Sequence, residues 1–255
     1  MVKRKRDCDY MKLNSIVIFL NKELKVKSIK DRSKNGLQVR ASENIGKVGL
    51  SVDACMDVFK KAKKLGCDLV IVHHGLFWKK QKDVSNITKD RVKFLKKNKI
   101  SLYAVHLPLD KNIKYGNNAE ILRMLNVKPK ELFNEVGYLG YFNKPRSLSS
   151  ITEELNRKLE TKCIVLKFGK KKIEKIAVVS GYGAPDVLEA IKKNVDLLIT
   201  GETSHAYYDD AEEGKINVIF GGHYKTETIG VKALGILLKK KFDLKTVFID
   251  SPTGL

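Results

Sequence analysis

Cysteine is scarce in this chain of 255 residues. Cys8, Cys55, Cys67 and Cys163 stand far apart with no CxxC pair. That spacing excludes a zinc knuckle or a dithiol redox motif and leaves reduced, mostly buried thiols as the expectation. Long apolar runs are missing too. Pieces such as Ser15–Leu20 and Asp68–Val72 fall well short of the roughly 20 residues that cross a bilayer, so no membrane partner is expected. The basic start, Lys3 to Arg6, precedes an apolar stretch too short for a secretory segment, and the expected location is the cytoplasm. Neither a GxSxG elbow nor a GxxxxGKS/T loop occurs, which argues against a nucleophilic hydrolase and a P-loop enzyme.

Acidic side chains are in deficit as well. Against 50 Lys and Arg there are 29 Asp and Glu, a formal charge of +21. Such a field draws nucleic acid, nucleotides and other phosphate esters. Lysine richness also suits tolerance of heat or salt, and no helix-turn-helix or aromatic-rich binding strand accompanies it. The hydrophobic share of 43% is that of a folded chain, so disorder is not expected.

What is present is an alternation of helical and strand periodicities, the pattern of βαβ units with a largely parallel sheet. The spacing predicts a helix over 11–25, a loop holding Asp31, Asn35 and Gly36, and a strand over 47–52. Asp53 is expected to cap a helix through Leu65. A buried strand, 68–72, then delivers His73 and His74, and a helix at 88–97 leads to a strand at 101–105 that delivers His106. Further strands are predicted at 138–142, 162–167, 176–180, 196–200 and 217–221, with helices at 149–159, 184–193 and 226–240.

Two portions of the chain match at an offset of 128 residues: Val48–Ser51 falls on Ile176–Val179, and Asp68-Leu-Val-Ile on Asp196-Leu-Leu-Ile. The expected fold class is therefore α/β, with two similar βαβ-containing halves packed around a metal crevice. In that reading 1–126 and 171–255 together form the metal-binding domain, and 127–170 form an inserted smaller lobe. Gly181-Tyr-Gly-Ala-Pro185 reads as a tight connecting turn, the alternative being an anion site at the N-terminus of the next helix.

All five histidines, 73, 74, 106, 205 and 223, fall at or just beyond a predicted strand end. Consecutive histidines on an extended backbone point apart, so His73 and His74 are expected to serve separate ions. Two cations about 3.5–4 Å apart need a bridging carboxylate, for which Glu227 and Asp110 are the candidates. His223 and Glu227 share one helix face if a helix opens nearby. His106-Leu-Pro-Leu-Asp110 is read as a loop, because Pro108 opposes a regular helix. Imidazole with carboxylate suits zinc, iron, manganese, cobalt or nickel better than calcium.

Asn35-Gly-Leu-Gln-Val39, His73-His-Gly-Leu-Phe-Trp78, His106-Leu-Pro-Leu-Asp110 and Gly222-His-Tyr-Lys-Thr-Glu227 together resemble the signature segments of the Nif-three-like dinuclear metal-centre proteins, many labelled type 2 GTP cyclohydrolase I homologues. The resemblance runs in order from about residue 30 to the C-terminus. It implies two divalent ions per chain, held by His73, His74, Asp110, His223 and Glu227, the last as bridge, with His106 close by. It also implies a ring-shaped homohexamer whose metal sites face an internal cavity. One departure is Gly201-Glu202, where many relatives carry Gly-Asp; Glu202 and His205 are thus cavity-facing candidates for a catalytic role. Two adjacent cations activate water for hydrolysis, so the expected function is metal-dependent hydrolysis of a nucleotide or other phosphorylated metabolite, the cyclohydrolase reaction being a special case. The alternative is a DNA- or RNA-binding or regulatory oligomer whose ions are structural.

Overall fold

In the computed structural model, residues 10–79 and 84–254 are described; Lys3–Arg6 and Cys8 lie outside them. The chain divides into two compact units, Met1–Pro108 with Val231–Ser251, and Leu109–Gly230 with Pro252–Leu255.

The first unit opens with β1 (Met11–Lys12), α1 (Leu13–Glu23), β2 (Gly36–Val39) and β3 (Asn44–Ile45). Then come β4 (Lys47–Asp53), α2 (Met56–Lys64), β5 (Leu69–His74), α3 (Asn86–Lys97) and β6 (Ser101–Ala104). Every residue of Leu69–His73 is buried, as expected of a parallel strand covered on both faces. Helix α2 turns Val58, Phe59 and Ala62 to the core and leaves Lys60, Lys61, Lys63 and Lys64 outside. With α3 it covers one face of the sheet through Val70, Val72, Leu102 and Ala104. On the other face α1 buries Leu13, Ile16 and Leu20, and the Tyr103 hydroxyl donates to Asn21 Oδ1 across 2.9 Å.

A single helical turn, α4 (Leu107–Asp110), leads into the second unit, which contains α5 (Asn117–Met124), β7 (Glu131–Phe133), β8 (Gly137–Ser147), α6 (Leu148–Leu159) and β9 (Ile164–Lys167). It continues with β10 (Lys172–Val179), α7 (Val187–Lys192), β11 (Leu197–Thr200), α8 (Tyr208–Glu213) and β12 (Asn217–Phe220). Helix α9 (His223–Phe242) begins there, and its later turns and β13 (Lys245–Phe248) belong to the first unit. Among the described residues the sheet orders are β13-β4-β5-β6-β2 in the first unit and β7-β8-β10-β11-β12-β9 in the second.

The two halves are alike in detail. In each, three strands run parallel in chain order, and an antiparallel edge strand closes the far side: β2 on β6, and β9 on β12. The register repeats at the offset read from the sequence, Val48 opposite Leu69 and Ile176 opposite Leu197. The class is α/β with two similar βαβ-containing halves.

Several expectations change. Residues 127–170 are no separate lobe: β7, β8 and β9 pair into the sheet that holds β10, β11 and β12. Strand partnership is non-local, so a change of pattern along the chain did not mark a domain boundary. The segment 107–110 is one turn of helix, because a proline in the first turn lacks only an N–H that would have no intrahelical partner there. Helix α9 starts at His223 rather than Thr226. The 184–193 segment is a 3-10 turn, Ala184–Asp186, followed by α7. No described helix is long and apolar enough to cross a membrane.

Candidate metal centre

Strand β5 carries His73 and His74 to its carboxyl end. His73 is fully buried, and its Nδ1 lies 3.0 Å from the Val105 carbonyl. A carbonyl only accepts, so the proton sits on Nδ1 and the lone pair on Nε2. His74 Nδ1 lies 2.9 Å from Asp53 Oδ1. That contact follows from register, since Asp53 is the residue of β4 paired with His74. Asp53 therefore does not cap α2, whose N-cap is Cys55 with no side-chain bond; its carboxylate faces an imidazole instead.

His106 follows β6, and its Nδ1 lies 3.0 and 3.3 Å from the two oxygens of Asp31. The loop 31–35 is wired onto this histidine. Asp31 also accepts from the amides of Ser33 and Leu107 and from Asn35 Nδ2, while Asn35 Oδ1 accepts from the His106 amide at 2.7 Å. Burial alone would raise the Asp31 pKa, but the hydrogen bonds from His106 and Asn35 outweigh it and hold the carboxyl well below the usual carboxylate range.

The rings of His73 and His74 lie 4.7 Å apart, and each lies 5.0–5.5 Å from His106. One ring nitrogen from each of the three falls within 4.8 Å of the others. The expected divergence of His73 and His74 is thus not seen. The strand ends at His74, and the pleat that would drive the rings apart goes no further.

In the second unit β12 ends at Phe220, two glycines follow, and α9 starts on His223. One helical turn then sets His223 Nε2 3.1 Å from Glu227 Oε2. Glu227 is buried at 4% exposure. On its other side the His223 ring donates from Nδ1 to the Glu202 carboxylate. Burial would lower the His223 pKa, but the hydrogen bonds and charges of Glu227 and Glu202 raise it to about 9. Asp110 Oδ1 accepts from Asn117 Nδ2 at 2.8 Å and from the Ser180 hydroxyl at 3.2 Å. The next residue, Gly181, adopts φ +63, and a Cβ there would overlap Glu227 Oε1. The end of β10 thus serves both carboxylates.

Of the sequence candidates, His73, His74 and His106 cluster in the first unit, and His223 pairs with Glu227 and Glu202 in the second. Asp110, at the end of α4, is buried against Ser180 just after β10, whereas His205 is exposed in the turn before α8 and joins neither cluster. In the sequence Asp31 reads as a loop residue and Asp53 as a helix cap, and neither as a member of the site. The signal for Asp53 was its place at the end of β4, level with His74. The donors are imidazole nitrogens and carboxylate oxygens with no thiolate, a set that can hold a borderline divalent metal.

The sequence pattern of the Duf34/NIF3 family (NGG1p interacting factor 3) matches residues 11–254. The chain belongs to this family. A Pyrococcus horikoshii relative named GTP cyclohydrolase 1 type 2 homolog is 45% identical over 96% of this chain and 100% of its own length. A Pyrococcus abyssi relative of the same name is 44% identical over the same shares. A crystal structure from Thermus thermophilus superposes with a TM-score of 0.89 at 36% identity, covering 96% of this chain and 100% of that one.

Proposed function

We propose that this Duf34/NIF3 protein holds two divalent metal ions through His73, His74, His106, Asp110, His223 and Glu227, and hydrolyses a nucleotide or other phosphorylated metabolite with them. The observation that carries the reading is the anchoring of the imidazoles. His73, His74, His106 and His223 each have Nδ1 held by an acceptor: the Val105 carbonyl, Asp53, Asp31 and Glu202. Such partners fix the tautomer and orientation of a ligating imidazole and raise its basicity. The donor sets are also complementary. His73, His74 and His106 are clustered imidazoles with carboxylates engaged to two of them, and Asp110 and Glu227 are buried carboxylates of the kind that two neighbouring cations need between them.

Divalent ions bound there would supply Lewis acidity and activation of water. The chain's own part is to present Nε2 lone pairs, to hold the carboxylates of Asp110 and Glu227 in a buried place, and to release the proton shared by His223 and Glu227. Glu202 acts on His223 rather than on substrate, as a positioning residue. The relatives' name, GTP cyclohydrolase 1 type 2 homolog, makes ring opening of GTP one reaction to assay. The working form in this reading is a cytoplasmic homohexamer. Plasma emission spectrometry of protein purified without added metal, followed by nucleotide turnover before and after chelation, tests it. Two ions per chain with chelator-sensitive turnover is the expected result; a metal-free protein that still turns over nucleotide sinks it.

One face favours the second reading, binding of DNA or RNA. Helix α3 exposes Lys89, Lys93, Lys96 and Lys97 beside a shallow groove floored by Phe77 and Val92. Cations at this spacing track a phosphate backbone, and log affinity would then fall linearly with log salt. Oligonucleotide binding that persists without metal and disappears when these lysines are changed would favour it.

A further inference from the structure

A cavity of about 570 Å³ lies within the second unit, beside the His223–Glu202 contact but outside the proposed ligand set. It opens beyond the carboxyl ends of the parallel strands β11 and β12, where open α/β sheets bind their ligands. Its volume is in the range of small-molecule pockets, about 300–1,000 Å³.

The lining is mixed in a way that selects a ligand. Lys162 and Lys225 bring two ammonium groups, Thr161 and Thr203 bring hydroxyls, and Phe220 and Ile164 give an apolar wall. Ile164 is 58% exposed, an apolar surface left open to the cavity. Lys225 is held only loosely by Glu160, at 4.0 Å, and that carboxylate is 83% exposed. An arriving anion displaces so weak a pair at little cost. Glu202, the acid in the lining, is engaged with His223, which offsets its repulsion of an anion. Helix α9 starts at this wall, with Gly222, Tyr224 and Lys225 in the lining, so the positive end of its dipole lies beside the cavity.

We propose that this cavity binds a phosphate ester of nucleotide size, the phosphate taken by Lys162 and Lys225 and the organic part lying against Phe220 and Ile164. This rests on the hydrolase reading above, for which it names the substrate class and the place where the substrate is held. Glu202 both lines the pocket and bonds His223, so a bound ligand lies beside the residue that orients that histidine.

The test titrates guanosine monophosphate and, separately, guanosine into the full chain by calorimetry, with and without manganese. The monophosphate is expected to bind both forms and the nucleoside at least about tenfold more weakly, the scale of one charge-assisted contact. Lys162→Ala and Lys225→Ala are each expected to weaken the monophosphate about tenfold, with Lys225→Arg restoring much of the loss. The lysines are exposed or half-buried, so circular dichroism is expected to stay as in the parent chain. Monophosphate affinity unchanged in the Lys162→Ala, Lys225→Ala double variant would overturn the proposal. Manganese stoichiometry, read in the same titrations, tests the metal reading separately. Lysine-dependent binding in a chain that takes up no manganese leaves the pocket standing and removes the metal reading; two bound ions with lysine-independent binding does the reverse.

Discussion

Asp68 and Asp196, 128 residues apart, perform one task in two places. Asp68 Oδ2 accepts from the amides of Gly46 and Lys47, at 2.8 and 3.0 Å; Asp196 Oδ2 accepts from Glu174 and Lys175, at 3.0 and 2.9 Å. Each carboxylate ties the start of its own strand to the preceding parallel strand, just before the first residues that the two strands pair. Both acceptor pairs obey the same offset as the strands. The repeat in the sequence is therefore a repeat of hydrogen bonds, and the carboxylates fix the level at which each half delivers its strand ends.

Removing one tie should loosen one half. Asp196→Ala leaves two amides without their acceptor in a place where Asp196 itself is only 8% exposed, and a loss of about 2 kcal/mol is expected in denaturant unfolding. The effect depends on pH with a definite sign. Burial alone would raise the Asp196 pKa, but Lys170 and the two amides outweigh it and hold the carboxyl below its ordinary value. A depressed carboxylate stabilises the fold above its unfolded pKa of about 3.9 and loses that contribution as pH falls through the folded value. The gap between the parent chain and Asp196→Asn should thus be full near neutrality and narrow below about pH 4. A gap that widens in acid would contradict this assignment.

Glu227→Gln keeps the volume of the side chain and removes its charge. Because Glu227 is buried and paired with His223 at 3.1 Å, the neutral amide should leave helix α9 in place while depriving the cations of an anionic ligand. Plasma emission spectrometry is expected to find most of the metal gone with the far-ultraviolet dichroism unchanged. Two ions per chain in this variant would count against Glu227 as a ligand.

Much of this was legible in the sequence, and the misses share a cause. Leu69–Val72 and Leu197–Thr200 read as buried strands because they are apolar at nearly every position, and the histidines stood out because they cluster at strand ends. Strand pairing is not written locally. Glu131–Phe133 and Gly137–Ser147 gave no hint that they extend the sheet of β10, so 127–170 looked like an insert. An aspartate between a strand and a helix, as Asp53 is, suits the role of a helix cap; only the register of β4 on β5 shows it facing His74. Asp31 lay 75 positions from His106, a partnership no spacing rule reaches. Helix α5, Asn117–Met124, escaped notice because Asn117 and Asn118 are poor helix formers, yet both are buried and hydrogen-bonded, Asn117 to Asp110 and Asn118 to Val136.

The carboxylates behind the histidines give a graded prediction. Asp53→Asn and Asp31→Asn leave His74 and His106 in place but replace an anionic acceptor with a neutral amide. Metal affinity should fall by about 10–100-fold in each, the usual cost of losing such a partner. Asp31→Asn should also cost stability, because Asp31 accepts from the amides of Ser33 and Leu107 as well, whereas Asp53 is a third exposed. Competition with a fluorescent zinc chelator measures the first effect and thermal unfolding of the metal-free chain the second. Unchanged affinity in both variants would mean that these carboxylates serve the fold and not the ions.

Gly181 offers the sharpest separation of backbone from site. Its φ of +63 is left-handed, and a Cβ there would overlap Glu227 Oε1. Gly66 has nearly the same angle, φ +68, with nothing within 4 Å of a Cβ. Alanine at Gly66 should therefore cost only the backbone strain, about 1 kcal/mol, and leave metal content as it was. Alanine at Gly181 carries the same strain and in addition pushes against a buried carboxylate with little room to retreat, since Thr226 beside it is tied to the Gly181 amide at 3.1 Å. A larger loss of stability and at least about a tenfold loss of metal affinity are expected there, because ligands displaced by even 1 Å hold a cation poorly. The comparison is read from thermal unfolding and metal titration of both variants side by side. Equal losses in the two, with metal affinity intact, would show that Gly181 is required by its turn alone and that Glu227 does not depend on the space it leaves.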